Sequence, residues 1–123
     1  MEAVRRIRPE ERAAGHATPG MTREEAVATE GMWGGFVTTD AGMVGGWHHH
    51  GEFESAIYIL KGGARVEFGS DGADTLDAVA GDFVFVPKRA IHRESNPGDE
   101  RSEFIVVRAG SGEVVINVDG PEG

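Results

Sequence analysis

The sequence contains no cysteine. Disulfides and thiolate ligands are therefore excluded, and any bound metal must be held by nitrogen and oxygen. Long apolar runs are missing too. The longest, Ala56 to Leu60, is far short of a membrane span, and Met1–Arg6 lacks the apolar core of a signal peptide. A cytoplasmic protein with no membrane partner is the expectation. Positive charge is scarce: 12 Lys and Arg against 21 Asp and Glu leave a net charge of -9. Phosphate backbones need clustered Lys and Arg, so nucleic acid is not an expected partner. The arginines near the N-terminus (Arg5, Arg6, Arg8, Arg12) are interrupted by Glu10 and Glu11 and read as solvated surface.

Glycine, by contrast, is abundant, at 19 of 123 residues. The glycines fall between short apolar runs, which is turn punctuation and not a linker. The length suits one domain with a real core. Residues 1–32 read as a polar extension that packs on or swaps with the main body, 33–118 as the body, and 119–123 as a tail. Thr22 followed by Glu25 fits a capping box, so a short helix is expected over Thr22–Val27. From Trp33 onward the runs are strand-like: Trp33–Thr39, Met43–His50, Ser55–Leu60, Ala64–Phe68, Asp74–Ala80, Asp82–Val86, Ala90–Glu94, Glu103–Arg108 and Val114–Val118. Phe83–Val86 is apolar on both faces, as in a strand covered on both sides, and Pro87 ends it. Short strands about every ten residues, with little helix, predict an all-β antiparallel barrel or sandwich.

The chemistry concentrates in Gly42–Glu54. Three of the chain's five histidines, His48, His49 and His50, are consecutive there, with Glu52 and Glu54 close behind. On a strand His48 and His50 share one face and His49 takes the other. Two imidazoles on one face near a carboxylate are the raw material of a metal site. His16 lies in the polar N-terminal segment and reads as surface. His92 follows a strand, a proline stop and a turn, so a second strand can carry it to the same place.

These two segments resemble the paired motifs of a small single-domain cupin. The first motif reads Gly, five residues, His-x-His, three or four residues, Glu, six residues, Gly; Gly42, His48, His50 and Glu54 fall at allowed spacings. The second reads Gly, five residues, Pro-x-Gly, two residues, His, three residues, Asn; Gly81, Pro87, His92 and Asn96 match it. Two departures stand out. Seven residues separate Glu54 from Gly62 where the pattern has six, so counting back from Gly62 puts Ser55 at the ligand position; a bulge near Glu54–Ser55 would restore the carboxylate, and failing that the metal has three histidines and water, or Glu52 substitutes. Arg89 stands where the pattern has glycine.

The resemblance implies a jelly-roll β-barrel with one divalent transition metal per chain (Fe, Mn, Ni, Cu or Zn), held by His48, His50, Glu54 and His92. Four such ligands leave two positions of a six-coordinate ion open. If Ala56, Tyr58 and Leu60 face inward, Tyr58 joins Trp47, Phe85 and Phe104 as a candidate wall of a small-molecule pocket. Arg65 and Arg93 read as surface ion-pair formers. A dioxygenase-type oxidoreductase is the first functional expectation. A metal-assisted isomerase or lyase of a small oxygenated compound, or a non-catalytic ligand-binding domain, are the alternatives. A homodimer is expected, with the N-terminal segment or Val114–Val118 at its interface.

Overall fold

The computed structural model describes residues 3–123 as two antiparallel sheets that close on one core, a jelly-roll barrel. The first sheet runs in the order β1 (Ala13–Ala14), β2 (Met21–Ala28), β3 (Met32–Thr39), β10 (Ser102–Ala109), β5 (Glu54–Lys61) and β8 (Phe83–Val86). The second runs β11 (Ile116–Asn117), β4 (His48–His49), β9 (His92–Ser95), β6 (Gly63–Phe68) and β7 (Asp74–Val79). The family-like motifs thus lie on β4 and β9, neighbours in the second sheet, where His48 pairs with His92. Among the described residues the helical content is one 3-10 turn, Pro9–Glu11, and no helix is long and apolar enough to cross a membrane.

The helix expected over Thr22–Val27 is strand β2. Two turns of isolated helix gain little by themselves. As a strand, the segment pairs with β3 from Met21 opposite Thr39 to Ala28 opposite Trp33, and it buries Met21 in the core. Thr22, the expected helix cap, instead bonds its hydroxyl to that of Thr38 across the strands. Part of the segment read as an extension is therefore built into the first sheet of the same chain.

Strand parity decides what faces the interior. Along β10 the buried row is Ser102, Phe104, Val106 and Arg108. On β5 it is Ser55 and Ile59, with Ile57 between them partly covered, not the Ala56, Tyr58 and Leu60 of the sequence expectation. β8 buries Val84 and Val86 and leaves Phe83 75% and Phe85 62% exposed, so this strand is covered on one face only. The interior is apolar where Ile59 lies opposite Phe104 and turns polar two steps along, where Ser55 lies opposite Arg108. That polar end faces the histidines of the second sheet.

The turn before β9 accommodates Arg89 in the left-handed conformation, φ 59°, where the motif has glycine. Its backbone N–H donates to Gly51 O at 2.9 Å and its guanidinium pairs with Glu52, so the two motif turns are tied together.

Candidate metal centre

His48, His50, His92 and Glu94 each offer a ligand atom, and these atoms all lie within 4.8 Å of one another. Each histidine is fixed by its own backbone surroundings. His48 Nδ1 donates to Gly46 O at 2.9 Å, His92 Nδ1 to Ala90 O at 2.8 Å, and His50 Nδ1 to Val114 O at 2.6 Å. With Nδ1 committed to a backbone carbonyl in each ring, every Nε2 is turned toward the common centre, as in a metal-binding imidazole held by an outer partner. The ring centroids are 4.4 to 5.2 Å apart.

The carboxylate comes from Glu94. It lies two residues after His92 on β9, so strand alternation gives both the same face. One oxygen accepts from His92 Nε2 at 3.1 Å and the other lies 3.5 Å from His48 Nε2. Both ring nitrogens of His92 therefore meet acceptors, an arrangement that favours the imidazolium form. Burial works to lower the His92 pKa, but the hydrogen bond to Glu94 and its charge outweigh it and the net shift is upward. Burial likewise opposes ionisation of Glu94, yet the three histidines hold its carboxyl well below the usual carboxylate range. His50 is lowered to about 3 by burial and by the charge of Arg108, and His48 is lowered chiefly by burial. Three neutral or neutralisable imidazoles and one carboxylate, all converging, fit a divalent transition metal.

Glu54 is not part of this group. The β5–β10 pairing runs unbroken from Ile59 opposite Phe104 to Glu54 opposite Ala109, and its one register shift lies beyond, at Glu103/Phe104. No bulge re-aims the chain near Glu54, which stays exposed, while Ser55 takes the inward position. Among the described residues Glu94, and not Glu54, stands with the three histidines. His49 faces away, its Nδ1 accepting from Gly51 N–H at 3.0 Å.

A small, partly open cavity of about 30 Å³ adjoins the centre, lined by His48, His50, Glu94, Ser55, Phe104, Arg23 and Arg108 among others. It has room for roughly two or three waters, or one small polar group. Two larger hollows, about 380 and 250 Å³, lie at the barrel mouth and share Arg23 with it. Of the expected pocket walls, Phe104 lines the cavity. Tyr58 packs its ring 4.8 Å from Phe83, on the outer face where Phe85 also lies. Trp47 lies under Arg93, 4.7 Å from its ring. Arg93 pairs with Glu67 and Arg65 with Asp77, both as surface ion pairs.

Both sheet topology and centre agree with the family match: the cupin domain model matches residues 35–108. The chain belongs to the cupin family. Solved structures with the same fold include a Klebsiella pneumoniae protein with a double-stranded β-helix domain (17% identity, TM-score 0.72, covering 85% of this chain and 90% of that one). KdgF from Halomonas sp. is 21% identical, with TM-score 0.71 and coverage of 86% and 94%. Bacillus subtilis oxalate decarboxylase, a protein with Mn(II) centres, is 25% identical with TM-score 0.71; the match covers 83% of this cupin but 29% of that chain. No curated protein matches this cupin in sequence.

Two groups at this site escaped the sequence reading although a signal existed. His92-x-Glu94 repeats the His-x-His spacing of β4, and Arg108 follows the apolar pair Phe104 and Val106 on the inward row of β10.

Proposed function

We propose that this cupin is a metal-dependent enzyme acting on a small oxygenated molecule by Lewis-acid chemistry, in an isomerase- or lyase-type reaction. One observation carries the reading: three backbone-locked histidines converge with Glu94, and His48, His50 and Glu94 line a cavity whose other polar lining is Arg23, Arg108 and Ser55. A divalent ion held by His48, His50, His92 and Glu94 would polarise a substrate oxygen. Arg108 and Arg23 face the negative charge that develops there, and Ser55 Oγ offers a further hydrogen bond. Phe104, Val106 and Ile59 keep bulk water from the inner side.

Oxygen chemistry at the same ligands is the family-derived alternative. It placed aromatic groups beside the open metal positions, and Phe104 is the one of the four candidates that lines the cavity. Reconstitution with zinc, manganese or iron, followed on an oxygen electrode, separates the two. Turnover with zinc and no oxygen uptake is expected; turnover confined to iron with stoichiometric oxygen uptake overturns the Lewis-acid reading. Ligand binding with no turnover would make this cupin a binding domain.

The homodimer is proposed through a different face from the one expected. Val114 and Val118 are bonded to the chain's own His50 and Trp47, so that segment serves its own barrel. On the outer face of the first sheet two rows without charged residues cross four strands: Phe36–Ile105–Tyr58–Phe83, whose Phe36 end lies under the Arg12 guanidinium, and Gly34–Val107–Ala56–Phe85. Phe83, Phe85, Ile105 and Val107 are exposed on this face and form the apolar patch that a second copy would cover. A second copy related by a two-fold axis supplies bulky Phe85 for the hollow over Gly34 and Ala56.

A further inference from the structure

Arg108 is buried at 5% exposure, yet its Nε and Nη1 have no hydrogen-bond partner. Its cross-strand neighbour Ser55 is 3% exposed, and Ser55 Oγ is also unpartnered. Both line the cavity beside the histidines. Buried donors left unpaired cost stability, and a buried guanidinium costs more than most. Such a group persists when a ligand completes it.

The local charge says which ligand. Arg23 also lines the cavity, with Nη1 donating to His16 O at 3.1 Å and to Thr18 Oγ1 at 3.3 Å, which aims it across the mouth. Against these two guanidiniums the cavity contains one carboxylate, Glu94, which is committed to the histidines. Glu25, at the mouth, is committed to Trp33 Nε1 at 2.9 Å. A divalent ion would add positive charge. Within a chain of net charge -9, this interior is a cationic pocket awaiting an anion.

We propose that Arg108, assisted by Arg23 and Ser55, is the anchor for a carboxylate of the substrate, which is a small 2-hydroxy or 2-oxo acid. The planar fork matches a carboxylate. The inner cavity of about 30 Å³ takes little more than that group, and the adjacent oxygen function is left facing the metal ligands. The remainder of the acid occupies the 380 Å³ hollow shared by Arg23, Arg108, Trp33 and Val114. This assignment rests on the Lewis-acid reading for its chemistry and on the orphaned arginine for its binding.

Calorimetric titration of the full chain, metal-free and zinc-loaded, tests it with glycolate, pyruvate and lactate, and with glycolamide as the uncharged control. At least one acid is expected to bind, with glycolamide at least about tenfold weaker than glycolate. Arg108→Met and Arg108→Lys, the second keeping charge without the fork, should each weaken the acid at least about tenfold while zinc content stays one per chain. Ligand-free Arg108→Met should melt no lower than the parent, because a buried charge with no hydrogen-bond partner at Nε and Nη1, stacked only on the Trp33 ring at 4.8 Å, has gone; a structural arginine would show the opposite. Arg23→Gln, at the mouth, should weaken the acid even if Arg108→Met does not fold. Equal acid affinity in the arginine variants, equal binding of glycolamide, or no acid binding overturns the proposal. Acid binding to metal-free protein reads the arginines, whereas zinc content reads the metal centre, so the two can fail separately.

Discussion

Glu94 is the residue on which the site's chemistry turns, because it supplies the carboxylate and sets the charge of its neighbours. Glu94→Gln should weaken zinc binding by at least about 100-fold in a chelator competition, while Glu54→Gln should leave it unchanged. Proton linkage gives a second residue-scale prediction. His92 is raised above its free value, so its pair with Glu94 stabilises the metal-free fold below about pH 6.5 and that contribution fades as pH rises through the folded pKa. His50 works in the opposite sense. With its folded pKa lowered to about 3, its contribution is present above about pH 6.5 and is lost as pH falls towards 3. A metal must displace the His92 proton, so zinc affinity should rise with pH through the raised His92 pKa and then level off. Chelator competition across that range checks it, and a flat profile would contradict the imidazolium assignment. His48, His50 and His92 were legible in the sequence because motif spacing is local information. Glu94 was hidden by the more familiar carboxylate position, and Arg108 by the expectation that a barrel interior is apolar.

At the scale of the strand, β5 shows how one step of register changes a site. Glu54 and Ser55 are adjacent, and pairing with β10 alone decides which points inward. Ser55→Glu in a Glu94→Gln background should therefore recover most of the lost zinc affinity, because position 55 faces the same cavity. A double variant no better than Glu94→Gln alone would show that Ser55 does not reach the centre. The barrel itself was readable from turn glycines and short alternating runs. The inward face of β5 and the one-sided burial of β8 were not, since both depend on partners distant in sequence. β2 was misread for a related reason: Thr22–Val27 has local helical character, and its pairing with β3 overrides it. Ile59, fully buried in the shared core, should cost about 2–5 kcal/mol on Ile59→Ala, measured by chemical denaturation.

The whole molecule carries a net charge of -9 and one broad apolar face. Two such copies repel until salt screens them, so dimerisation through the outer face of β3, β10, β5 and β8 should strengthen with ionic strength. Sedimentation should show a dimer that Phe83→Ser plus Phe85→Ser converts to monomer without loss of bound zinc. A doubly substituted protein that remains dimeric would place the interface elsewhere.

Everything functional here descends from a single claim, that His48, His50, His92 and Glu94 together bind one metal ion. The most direct measurement is elemental analysis of tag-free protein after reconstitution, joined to a crystal structure phased at the metal's absorption edge. The account predicts one ion per chain, with its anomalous peak within bonding distance of the three Nε2 atoms and a Glu94 oxygen. A protein that stays metal-free, or a peak ligated by Glu54 and not by Glu94, would contradict it.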